Sequence, residues 1–164
     1  MTTTGNSADS IAGHAGEQVV RRGRAAWLTH PPGGTARVDV ESEALAAVDV
    51  SLPDGRPLPD ETTPGELLAV AHAMFMAAAL SEELVQVGSP ATEIVVEAAC
   101  AFSGALPDRD LRALGLDVYG RVPGLDATAF REAAVTARRR SLRAAATCAD
   151  LPGELRATLE TYHP

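Results

Sequence analysis

The chain has 164 residues, the length of one ordinary globular domain, and 46% of them are hydrophobic against 22% charged. That balance excludes wholesale disorder and supplies enough apolar material for a core. Its 14 Lys+Arg against 22 Asp+Glu leave a formal net charge of -8, which repels phosphate backbones, so no nucleic acid is expected as a partner; no membrane is expected either, since a histidine breaks the longest apolar run before membrane length.

Every basic residue is an arginine, and the cysteines are Cys100 and Cys148 alone, too few for a disulfide framework. The polar start MTTTGNSADS has neither the basic nor the apolar stretch of a secretion signal, and a cytoplasmic location is expected. Residues 1–16, rich in Thr, Ser, Gly and Asp, read as a flexible tail, with residues 17–164 forming a single domain.

Val19 to Thr29 can form a first strand; the turn-rich HPPGG follows, and then Ala36, Val38 and Val40 alternate with Arg37, Asp39 and Glu41, giving an antiparallel hairpin. Ala46, Val48, Val50 and Leu52 share one period-two face and predict a third strand. Thr63-Pro64-Gly65-Glu66 then has the form of a helix start, with Thr63 as cap, Pro64 in the first turn and Glu66 closing a capping box.

The helix is expected to run to about Val87, stopped by Gly88 and Pro90. Between Leu67 and Leu80 only His72 is neither apolar nor alanine, which predicts a central helix buried on nearly all sides. Acidic residues at Glu66, Glu82 and Glu83 leave the apolar stretch short for a bilayer.

Thr92 to Phe102 reads as a strand with Ile94, Val96, Ala98, Cys100 and Phe102 on one face and Glu93 and Glu97 on the other, and Leu111 to Val122 as its antiparallel neighbour. Asp126 caps a second helix from about Ala127 to Thr147, and Leu155, Ala157 and Leu159 share a face of a closing strand. Three strands, helix, two strands, helix and strand predict an α+β fold with mainly antiparallel sheet.

Chemistry is sparsely marked. His72, inside an apolar run, reads first as a packed histidine whose donor and acceptor find partners, and second as a proton-transfer group or ligand contact. His14, His30 and His163 show no ligand spacing, so no metal is expected, and no Gly-rich phosphate loop or GxSxG elbow points to a cofactor or a triad. Cys100 reads as core, whereas Cys148 is the better exposed-thiol candidate. Arg138, Arg139, Arg140 and Arg143 crowd the second helix, where they can cover apolar surface, pair with acids, meet another subunit or bind an anion.

The run Thr63-Pro64-Gly65-Glu66-Leu67-Leu68-Ala69-Val70-Ala71-His72-Ala73 resembles the start of the central helix of the OsmC/Ohr family of organic-hydroperoxide reductases, and Val122 to Phe130 resembles that family's later strand-to-helix junction. The resemblance spans about residues 19 to 161 and implies an OsmC-like fold: sheet wrapped around a long central helix, in an intertwined homodimer with sites at the subunit boundary. It also implies a peroxidatic cysteine on the central helix and a resolving cysteine on the later one, with a dithiol or lipoylated protein as reductant.

The matched positions here are Phe75 and Ser141, and Gly65 stands where the family has a glutamate. Neither Phe75 nor Ser141 can supply a thiolate or a reversible disulfide. Arg24 and Arg37 are candidates for the family's activating arginine, without a fixed register.

The leading expectation is a non-redox OsmC-like homodimer whose interface pocket, lined by His72, Met74, Phe75, Met76 and Ser141, takes a small apolar or amphipathic molecule. The same Met and Phe side chains can equally fill the volume of a lost reactive centre. The alternatives are an enzyme with acid-base chemistry relocated to His72 and Ser141, a hydroperoxide reductase or stress-response protein using an atypical Cys148, and a structural or regulatory homodimer.

Overall fold

A computed structural model describes residues 23–30, 33–42, 48–51, 62–104, 110–145 and 151–160. The expected tail at 1–16, the start of the first strand at Val19 and Cys148 lie outside the described residues. The chain divides into two compact units, Met1–Thr63 and Pro64–Pro164.

In the first unit β1 (Gly23–His30), β2 (Gly33–Val40) and β3 (Val48–Ser51) form an antiparallel sheet in that order. The hairpin is tighter than the HPPGG run suggests: His30 pairs with Gly33, so both glycines enter the ladder. Charge pairing reinforces the register, because Arg24 lies opposite Asp39 and Arg37 opposite Asp49, with ion-pair distances of 3.6 Å and 3.2 Å.

The second unit contains α1 (Pro64–Gln86), β4 (Glu93–Ser103), β5 (Asp110–Arg121), α2 (Ala127–Ala144) and β6 (Leu155–Leu159). Its sheet order is β4-β5-β6, with β4 and β5 antiparallel and β5 and β6 parallel. The parallel pair needs a crossover, and α2 provides it.

Helix boundaries follow local chemistry. The Asp126 carboxylate accepts from the backbone N–H groups of Thr128 and Ala129 at 2.8 Å and 2.9 Å, satisfying two orphan donors of α2. At the end of α1, Gly88 takes φ 77°, its N–H donates to Val85, and the Ser89 N–H donates to Leu84, the paired bonds of a Schellman stop. α2 ends at Ala144, short of the expected Thr147.

The core of this unit joins Met76, Leu80 and Leu84 of α1, Leu114, Leu116 and Val118 of β5, and Phe130, Ala134, Ala137 and Leu142 of α2. The inner face of β4 packs against it through Ile94, Val96, Ala98 and Cys100, as the alternation predicts. Phe130 is fully buried, and its ring lies where a Cβ on Gly120 would sit, 2.4 Å from Cε2 and Cζ. A glycine in β5 is what lets α2 seat its largest side chain on the sheet.

α1 departs from the expectation of burial on nearly all sides. One face, His72, Met76, Ala79, Leu80 and Leu84, is buried, while Val70, Met74 and Val85 remain 57%, 68% and 61% exposed. β4 and α2 pack on the helix and account for its covered side. Among the described residues α1 has the length and composition to cross a membrane, yet it packs as the core helix of its unit.

Candidate functional site

The residues named for the pocket, His72, Met74, Phe75, Met76 and Ser141, lie on α1 and α2, which pack against each other. Each α-helical residue turns by about 100°, so the three consecutive side chains of Met74, Phe75 and Met76 cannot all share one face. His72 and Met76, one turn apart, point into the core, whereas Met74 and Phe75 lie on the exposed side. The structure therefore brings Met76 and Ser141 together, buries His72 one turn away on the same side of α1, and puts Met74 and Phe75 outside.

Ser141 is 2% exposed. Its hydroxyl donates to the Arg138 carbonyl at 2.9 Å and lies 3.9 Å from the Met76 sulfur. Its single proton is thus committed to the preceding turn of α2. His72 is equally buried, and desolvation pushes its pKa below the ordinary histidine value, so the imidazole is neutral at pH 7.

Phe75 is 41% exposed, and Leu68, Val70, Met74 and Val85 are further exposed apolar side chains of α1. Gly65, in the first turn of α1, faces a ring that β4 supplies: a Cβ there would approach Phe102 Cε2 at 3.0 Å. Where the resemblance leads one to look for a carboxylate, the space is thus taken by Phe102. The phenylalanine was visible on the inner face of β4, but its meeting with Gly65 depends on tertiary packing.

The arginine cluster separates into distinct roles. Arg140 binds the carboxylates of Glu82 and Glu83 at the end of α1, and this pairing raises its pKa further. Arg138 donates to the Leu151 carbonyl at 3.3 Å. Arg139 and Arg143 remain on the surface. Cys100 is half-buried on β4, where desolvation raises the thiol pKa and disfavours the nucleophilic thiolate.

Two grooves of about 250 Å³ and 200 Å³ lie on the sheet, the first between Glu97, Asp117, Glu154 and Arg156, the second beside Tyr119 and Arg121. Neither is lined by His72, Met74, Phe75, Met76 or Ser141. No group of three or more His, Cys, Asp or Glu suited to a metal ion occurs among the described residues.

An α+β chain whose apolar helix packs on an antiparallel-rich sheet, followed by a crossover helix, is the OsmC/Ohr type of architecture. No protein-family model and no curated protein sequence matches the chain, but solved structures do. An organic hydroperoxide resistance protein from Elizabethkingia anophelis superposes with a TM-score of 0.67 at 17% identity, over 87% of this chain and 98% of that one. An OsmC-like protein from Mycoplasma pneumoniae gives 0.61 at 16% identity over 86% and 97% of the two chains. The organic hydroperoxide resistance protein OhrB of Bacillus subtilis gives 0.58 at 15% identity over 85% and 98%. The likeness is one of fold, and it extends over nearly the whole of each of these proteins.

Proposed function

We propose that the protein is a cytoplasmic, homodimeric OsmC/Ohr-type stress-response protein that acts on organic hydroperoxides through a single thiol, Cys148. The observation that carries this reading is the fold shared with proteins described as organic hydroperoxide resistance proteins. Phe75 and Ser141 leave the two-cysteine cycle without its thiols at the matched positions, and burial raises the Cys100 pKa, which disfavours its thiolate.

In a one-thiol cycle the Cys148 thiolate attacks the distal oxygen of the hydroperoxide and breaks the O–O bond. The alkoxide takes a proton and leaves as an alcohol, and the sulfur becomes a sulfenic acid. A thiol of an external dithiol then attacks that sulfur and expels water, giving a mixed disulfide. The reductant's second thiol closes its own disulfide and releases Cys148 as the thiol. With serine at position 141, resolution falls to the external dithiol.

The apolar face of α1 supports the homodimer, because Val70, Met74, Phe75 and Val85 leave water when a second copy covers them. It also favours a second reading: a non-redox protein that holds a small apolar molecule beside the Phe75 ring. His72 and Ser141 then serve packing rather than acid-base chemistry.

Consumption of cumene hydroperoxide with dihydrolipoate as reductant separates the two. The first reading expects turnover that survives Cys100→Ser and falls to the uncatalysed rate in Cys148→Ser. Absence of turnover in the wild-type protein, or its persistence in Cys148→Ser, overturns that reading.

A further inference from the structure

The function proposed above does not use the surface of α2, where Arg131, Val135, Arg139 and Arg143 follow one another at intervals of four residues and are all exposed. Residues spaced in this way drift only slowly around a helix, so the four side chains form an inclined stripe about 18 Å long. Val135, 41% exposed, is an apolar step between the cations.

Each of the other arginines on this helix has a use inside the fold: Arg140 binds Glu82 and Glu83, and Arg138 reaches the Leu151 carbonyl. Among the described residues, Arg131, Arg139 and Arg143 enter no ion pair. This is notable in a chain with 22 acidic residues and a formal charge of -8. Favourable interaction with the negative end of the helix accounts for Arg143 in the last turn. It does not account for Arg131, which stands near the positive end, just beyond the Asp126 cap.

We propose that this stripe is a docking surface for an acidic protein segment, a helix or extended peptide with carboxylates at one-turn spacing and an apolar side chain to lie on Val135. Guanidinium groups bind carboxylates in paired, directional hydrogen bonds, and the apolar step adds a short-range contact that a polyphosphate does not use. Nucleic acid fits less well, because the stripe offers no aromatic side chain for stacking and the chain as a whole repels phosphate. Three cations interrupted by Glu132 also fall short of the polybasic clusters that hold proteins to anionic lipid.

The test uses the full chain and a fluorescein-labelled helical peptide carrying glutamates at three positions four residues apart, with leucine between them, read by fluorescence anisotropy at low and at physiological salt. Exposed ion pairs each contribute a few-fold at most, so replacing Arg131, Arg139 and Arg143 together by Gln is expected to weaken binding about tenfold. Replacement of all three by Glu weakens it further, and Arg112→Glu, on β5, leaves it unchanged. Unchanged far-UV circular dichroism establishes that the variants fold. The proposal is overturned if the wild-type chain does not bind the peptide or if the triple Gln variant binds it equally. It is also overturned if a dT oligomer or phosphatidylglycerol vesicles bind more tightly than the peptide at the same salt.

Discussion

Substituting Gly120 by alanine perturbs the contact on which the seating of α2 depends. The new Cβ falls 2.4 Å from two atoms of the Phe130 ring, whereas carbon atoms in good contact lie about 3.5–4.0 Å apart. Ring or strand must therefore move by more than about 1 Å in a region where Phe130 is fully buried and interiors have little free volume. Overpacking of this kind costs about 1–3 kcal/mol. Phe130→Leu removes the offending ring edge at its own cost, and a leucine can turn away from the added methyl group. In that background Gly120→Ala is expected to be neutral, or to stabilise by up to about 1 kcal/mol, because alanine restricts the unfolded chain more than glycine does. The double-mutant cycle built from urea titrations followed by far-UV circular dichroism should thus show a coupling of about 2 kcal/mol. Additivity within about 0.5 kcal/mol would refute the contact and the account of how α2 is held to β5.

His72 gives a pH dependence of definite sign. Its pKa is lowered by burial in the folded chain, so between that value and the unfolded value near 6.5 the unfolded state binds more protons. Stability therefore rises with pH across this window, is fully present above it, and is lost on acidification. The difference between wild-type and His72→Leu stability, followed by urea titration from pH 7 to pH 5, isolates this group, and a difference independent of pH contradicts the assignment. Met74, 68% exposed at the centre of the apolar face of α1, is expected to lie at the homodimer boundary. In a two-fold interface each substitution acts twice, so Met74→Glu at about 2 kcal/mol per copy weakens the dimer about a thousandfold. Light scattering across a dilution series reads this, and an undisturbed oligomer places the interface elsewhere.

Much of this architecture was legible because it rests on periodicity. The alternation of Ile94, Val96, Ala98 and Cys100 gave the inward face of β4, and Asp126 before an alanine-rich run marked the start of α2. The arginine cluster was visible as charge, but not its division into Arg140 bound to Glu82 and Glu83 and an outer stripe, since that depends on how α2 rotates against the end of α1. The candidate site was less readable. Met74, Phe75 and Met76 are adjacent in sequence, and the helix sends Met76 inward and the other two outward. Phe102 against Gly65 joins residues 37 positions apart, a contact no local pattern contains.

That division of α1 bears on how a fold of this kind can outlast its chemistry. The inward stripe of Met76, Leu80 and Leu84 belongs to the core that α1 forms with α2 and the sheet, and a change of volume there is felt throughout it. Phe75 stands on the other side of the helix. Replacing a reactive side chain at such a position alters little that holds this unit together, so fold and thiol chemistry are under separate physical constraints. The sheet and helices can therefore mark the architecture while saying nothing of whether a sulfur is poised to meet a peroxide. Under the proposed function that question falls on Cys148, and the peroxide assay on that thiol decides between catalysis and simple apolar binding.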